Sequence, residues 1–177
     1  FAPYFQSLRY IIGPLTLPWF VSSYQHIVKQ LAPDLVHALR IPFEGMLGSY
    51  TPQGFPFIAT TWGNDLTLHA GESLLMQAFT KRCLGRANGF TADTHRDVRL
   101  AYEWGLSTYV PTLVVPGSGG LDLATIQAAE LFDEAQYNLP SNCDWVVNPR
   151  GMRPGSVHQD VFFAAIPEVL QLRPQTC

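Results

Sequence analysis

The sequence predicts an α/β fold, a Rossmann-like parallel sheet with helices on both faces. Three observations predict it. Short β-branched or apolar runs alternate with segments of helical periodicity along most of the chain, the order that βαβ crossovers require. Glycines or polar residues follow most of the runs, as in the turns that leave parallel strands. The composition, 47% hydrophobic and only 14% charged, is that of a chain that buries a core and has no tract polar enough to be disordered.

The elements follow in order. From Trp19 to Leu31 the apolar positions Phe20, Val21, Tyr24, Ile27, Val28 and Leu31 recur at helical spacing, with the preceding apolar stretch broken by Pro14 and Pro18 and the helix ended by Pro33. Asp34 to Ala38 reads as a short buried strand, with His37 as a satisfied core histidine. Pro42 suits the first turn of a helix that Phe43 to Leu47 would continue. Phe57 to Thr61 is a second strand, running into the turn Trp62-Gly63-Asn64-Asp65. A helix resumes near Ser73 with Leu74, Leu75, Ala78 and Phe79 as core candidates, and Asn88 and Gly89 cap its end. Gly89 to Ala92 is a strand. Asp93 or Thr94 then caps a helix over 95–104, which Gly105 stops. Thr112 to Val115 is a strand, 123–135 a helix, Asp144 to Val147 a strand and Gln159 to Leu172 a helix.

Charge and cysteine content narrow the function classes. The net charge is -3 without a Lys/Arg stripe, which excludes a nucleic-acid surface. Such a sparse charge suggests missing partner surface or membrane contact. Cys83, Cys143 and Cys177 have no metal-ligand spacing, and we read them as buried free thiols in a reducing compartment. No apolar run is long enough to span a bilayer, and no signal peptide is recognisable. The expectation is a cytoplasmic protein. A secondary expectation is peripheral contact at the inner face of the membrane, through Ile11 to Val21 with Trp19 and Phe20. The preferred reading of that stretch is a helix packed on the sheet or on a preceding N-terminal part. Both ends of the chain look cut from something longer.

In parallel sheets ligands bind outside the carboxyl ends of the strands, so the residues to weigh are those just after each strand. Trp62 offers a flat apolar face to a pyranose ring, Gly63 allows close backbone approach or positive φ, and Asn64 and Asp65 bring polar groups to the sheet edge. The same four residues also read as an ordinary turn with Asp65 as helix N-cap. Gly119 and Gly120, in Pro116-Gly117-Ser118-Gly119-Gly120, suit an anion nest for phosphate and an interdomain hinge, two readings that can hold together. Arg150 and Arg153 follow a strand and suit a diphosphate, or else are solvated surface arginines. Glu44, near a helix start, can accept from a hydroxyl or simply complement the helix dipole. Asp93 also follows a strand. No metal constellation is visible.

In this order the segments Leu31 to Ala38, Thr60 to Asp65, Gly89 to Asp93, Val114 to Asp122, Val146 to Gly151 and Phe163 to Pro167 resemble family 4 glycosyltransferases of the GT-B fold, from about Gln30 to the C-terminus. The resemblance implies an incomplete acceptor-side Rossmann-like domain over 1–122. A linker helix and the first βα unit of the donor-side domain follow over 123–177. It implies retaining, metal-free transfer from a nucleotide sugar, a co-substrate rather than a cofactor, to a sugar, lipid or small-glycoside acceptor. It places Asp65 and Trp62 at the catalytic crevice and Gly63, Asn64, Glu44, Asp93, Gly119, Gly120, Arg150 and Arg153 around the substrates, with Arg150 on the donor diphosphate.

The departures are specific. Trp62 stands where many members have His, and Val157-His158 where many have Lys-Gly, so a second cation would have to come from Arg153. The family's Glu-x7-Glu segment and its opening strand with a Gly-rich loop are absent, and the chain alone is expected to be inactive. A GT-B-like sugar-nucleotide 2-epimerase and a non-catalytic α/β sugar-binding module are the alternatives.

Overall fold

The computed structural model describes residues 2–117, 122–129, 139–140, 142–148 and 159–177. They fall into two compact units, Phe1–Gly120 and Leu121–Cys177.

The first unit is α/β, built on a four-stranded, all-parallel sheet flanked by helices. Strands β1 (Val36–Ala38), β2 (Phe57–Thr61), β3 (Gly89–Ala92) and β4 (Thr112–Val114) lie side by side in chain order. Helix α3 (Leu74–Arg86) joins β2 to β3 and α4 (His95–Glu103) joins β3 to β4. Right-handed crossovers between successive neighbours put both helices on one face. There Phe57, Ala59, Phe90 and Ala92 of the strands meet Cys83 and Leu84 of α3 and Val98 and Ala101 of α4 in one buried cluster. The opposite face carries Thr60 and Thr91, which hydrogen-bond each other, and His37, whose Nε2 lies 2.6 Å from Thr60 Oγ1. His37 is therefore satisfied, but it is exposed rather than in the core as the sequence suggests.

Helix α1 spans Ala2–Leu31 and runs through both Pro14 and Pro18, which corrects the expectation of a helix confined to 19–31. A proline removes the N–H that would bond the carbonyl four residues earlier, for Pro14 that of Tyr10. The Ser73 hydroxyl donates to this freed Tyr10 carbonyl at 2.7 Å. Tertiary packing adds to this support. Leu17 of α1 is buried with Met76 of α3 and with Met46 of the short helix α2 (Met46–Gly48). Tyr24 shares a hydrogen bond with Thr51, and Gln25 donates to the Tyr50 carbonyl. The helix ends where Ala32 takes φ 44° and bonds back to Val28.

The segment after β1 differs from the expected helix over 42–47. Ile41–Gly45 is a wide turn in which Pro42 is extended and Phe43 takes φ 63°, ψ -57°, the strained γ-turn region. A Cβ at Gly13 would collide with the Phe43 ring, so this glycine is what lets Phe43 seat against α1. Regular helix begins only at Met46.

In α3 the core face is rotated from the one expected. Leu74 is 83% exposed and Ala78 is exposed, whereas Met76, Thr80, Cys83 and Leu84 are buried. Ser73 caps the helix by accepting from Met76 N. Its C-cap is Ala87, not Asn88 and Gly89. Asn88 instead brackets Phe57: its Oδ1 accepts from Phe57 N and its N donates to Phe57 O. That pairing aligns the starts of β2 and β3. Thr94 caps α4 and Gly105, at φ 107°, terminates it.

In the second unit, α5 spans Leu123–Ala128, capped by Asp122, and α6 spans Gln159–Leu172 with Pro167 inside it. The expected continuation of α5 from 130 to 135 lies outside the described residues. The expected strand over 144–147 is reduced to a single bridge, Asp144 with Thr176. The free-thiol reading fails for two of the cysteines: Cys143 and Cys177 form a disulfide with Cα atoms 5.8 Å apart. They are 34 residues apart in sequence, and only the return of the chain after α6 brings them together. Cys83 is free and buried, and burial pushes its thiol up to about 12. Among the described residues no helix is long and apolar enough to cross a membrane.

Candidate functional site

The loops that leave β1 and β2 at their carboxyl ends are joined through one side chain. Asp65 is fully buried. Its Oδ1 accepts from Arg40 Nη2 at 2.9 Å, and its Oδ2 accepts from the backbone N–H groups of Ile41 at 3.1 Å and Trp62 at 3.2 Å. A carboxylate taken out of water needs this full set of donors. Asp65 thus locks Arg40-Ile41 to Trp62 and presents no free oxygen to a substrate. This corrects its expected catalytic role to a positioning one, and it also corrects the reading as helix N-cap, because that position belongs to Asn64.

Trp62 is 55% exposed beside this lock, with the Arg40 guanidinium 5.8 Å from its ring centre. A planar cation over an aromatic face holds both in place. The flat face expected of Trp62 is therefore present at the surface. Gly63 does not take positive φ, and a Cβ there would meet nothing within 4 Å, so neither backbone strain nor packing demands glycine. Its carbonyl accepts from Arg96 Nη2 at 3.1 Å, which ties the start of α4 to this turn. Arg96 is in turn held by the buried Asp97. Asn64 is exposed, and its carbonyl accepts from the backbone N–H groups of Leu68 and His69.

Beside Arg40 lies a cavity of about 150 Å³ lined by Arg9, Tyr10, Arg40, Phe43, Glu44 and His69, with Pro42 completing the wall. Glu44 is exposed at this cavity, not in the first turn of a regular helix as expected. Arg9 lies over the Phe43 ring at 5.1 Å. Tyr10 Oη and His69 Nδ1 are 2.7 Å apart. Burial lowers the His69 pKa; Asp65 opposes that shift, and Arg40 and Arg9 add to it. Burial raises the Tyr10 pKa, with Glu72 adding to the effect and Arg9 and Arg40 opposing it. His69 is thus held neutral and Tyr10 protonated near neutral pH.

Of the residues expected at the site, the structure brings Trp62, Asp65 and Glu44 together through Arg40. Asp93 follows the Thr61–Ala92 pair by one residue, as Trp62 does on the neighbouring strand, and its carboxylate packs over Gly117, where a Cβ would collide with it. The exits of β3 and β4 meet there. Gly119, Gly120, Arg150 and Arg153 lie outside the described residues, as do Val157 and His158. Among the described residues no group of three or more His, Cys, Asp or Glu side chains could hold a metal. Sequence reasoning did not single out Arg9, Tyr10 or His69. Arg40 stands two residues past β1, where ligand-binding side chains are expected, so position alone flagged it. Arg9 and Tyr10 reach the site only because α1 continues through its prolines.

No protein-family model matches the chain, and no curated protein matches it.

Proposed function

We propose that the chain is the acceptor-side part of a retaining, nucleotide-sugar-dependent glycosyltransferase. The donor is a nucleotide sugar and the acceptor a sugar, lipid or small glycoside. The observation that carries this reading is the polar cavity at the carboxyl ends of β1 and β2, with the exposed Trp62 beside it. Aromatic faces and convergent charged donors and acceptors are the groups that hold sugar rings and hydroxyls. In the resemblance the donor diphosphate falls to Arg150, and positive charge there stabilises the leaving group. Glycosyl transfer and donor hydrolysis, assayed across a panel of nucleotide sugars with the protein that contains this chain, test the reading. Turnover with one donor supports it; no turnover and no nucleotide binding with any donor contradict it.

A sugar-binding module without catalysis is the second reading. The full burial of Asp65 favours it, because that carboxylate cannot serve as an acid or base at the surface. Sugar binding without turnover in the same assay selects this alternative.

We propose peripheral contact with a membrane face; the Cys143–Cys177 disulfide does not fit the reducing compartment on which the cytoplasmic expectation rests. Leu8, Ile11, Ile12, Leu15 and Trp19 support the membrane contact: at helical spacing they form an exposed apolar stripe along α1, and Trp19 is 78% exposed.

A further inference from the structure

We propose that the cavity bounded by Arg9, Arg40, Glu44 and His69 takes an acceptor carrying a phosphate ester beside a free hydroxyl. This rests on the acceptor-side reading above and narrows its substrate class.

The charges in the wall are unevenly paired. Arg40 has one N–H, on Nη2, engaged by Asp65, while its buried Nε has no acceptor. The Arg40 side chain stays 37% exposed while it is bound to Asp65, so the ion pair leaves part of the guanidinium accessible. Arg9 forms no ion pair among the described residues; it rests on the Phe43 ring. Guanidinium stacked on an aromatic ring keeps its N–H edge open for a bidentate oxyanion. Two guanidiniums from different elements, α1 and the β1 exit loop, line the same small cavity. A phosphate offers oxygens in several directions and can meet both; a planar carboxylate offers one edge.

Glu44 makes the site selective. An exposed carboxylate at this cavity repels a purely anionic ligand and accepts from a hydroxyl. The ligand is therefore bifunctional, with its phosphate toward the arginines and its hydroxyl toward Glu44. His69, hydrogen-bonded to Tyr10, supplies a further neutral polar group in the wall. The frame is built in advance. Asp65 fixes Arg40, and Phe43 is wedged between Gly13 and Arg9 in its strained conformation. A pre-formed site loses less freedom on binding.

A soluble polyol phosphate and a phospholipid headgroup share this chemistry. Calorimetric titration with glycerol 3-phosphate, and with glycerol as the neutral control, addresses the first source. Co-sedimentation with phosphatidylglycerol vesicles addresses the second. Each is run on the wild type, Arg9→Gln and Arg9→Lys. Arg9 is exposed and its contact with the Phe43 ring is a surface one, so either variant should lower the melting temperature only slightly. Arg40→Gln is avoided because it would leave the buried Asp65 unpaired.

We expect glycerol 3-phosphate to bind at least about ten-fold more tightly than glycerol. Arg9→Gln should weaken it by about ten- to hundred-fold, and Arg9→Lys by less. If only vesicles bind, and Arg9→Gln abolishes that binding, the ligand is the lipid headgroup. Equal affinity for glycerol and its phosphate, together with vesicle binding indifferent to Arg9, would overturn the inference. The titrations need no sugar donor. A failure of glycosyl transfer therefore leaves them standing, and transfer to neutral acceptors alone, unaffected by Arg9→Gln, removes the inference while leaving the transferase reading intact.

Discussion

At the scale of single residues, the site depends on a carboxylate that no ligand touches. Asp65 accepts from Arg40, Ile41 and Trp62 and has no exposed surface. Asp65→Ala would leave Arg40 and two backbone N–H groups without their acceptor. We expect a loss of about 3 kcal/mol in urea denaturation, at the low end for a buried pair because Arg40 is partly solvated. The same variant should weaken sugar binding, since it frees both strand-exit loops. His69 gives the pH dependence. Its folded-state pKa is lowered from 6.5 mainly by burial, so below about 6.5 the unfolded chain binds the proton first. Stability is full above that pH and falls as pH drops through 6.5 toward the lower folded-state value. His69→Gln should flatten that slope in denaturation curves collected at successive pH values. The sequence marks the neighbourhood of this site but not its logic. Trp62, Glu44 and Asp65 stand at strand exits, where position alone makes them candidates. That Asp65 points into the protein depends on Arg40, which lies 25 residues away.

At the scale of elements, α1 is the decisive case. Pro14 and Pro18 read as breakers because each removes a backbone donor. The helix continues because a serine from another element supplies one of the missing bonds. Ser73 serves two ends at once, donating to Tyr10 O and accepting from Met76 N at the start of α3. Ser73→Ala should cost about 1–2 kcal/mol in denaturant melts, the sum of a lost cap and an unsatisfied carbonyl. It should also shift Arg9 and Tyr10 away from the cavity. Elements whose signal is local were legible: the β-branched run Phe57–Thr61 and the periodic segment Gln159–Leu172 appear at the expected bounds. The core face of α3 was not. Met76, Thr80 and Cys83 are buried, whereas of the expected positions Leu74 and Ala78 are exposed and Phe79 is partly buried against the Leu17–Met46–Met76 cluster. The Cys143–Cys177 disulfide was equally invisible, since spacing alone does not specify pairing.

At the scale of the whole molecule, the parallel order of four strands is what brings their exits to one edge of the sheet. The α/β class was legible because strand and helix periods alternate from β1 to β4. The apolar stripe of α1 sets a further expectation. Flotation with liposomes should carry the protein upward, and Ile11→Ser with Trp19→Ser should reduce it several-fold. A protein that stays at the bottom with every lipid composition excludes the contact. The most direct test of the central claim is an amide and side-chain shift map recorded by NMR while methyl glycosides and glycerol 3-phosphate are added. The perturbed residues should cluster at Arg9, Arg40, Glu44, Trp62 and His69. Perturbations confined to another face of the sheet, or none at saturating ligand, would contradict that claim.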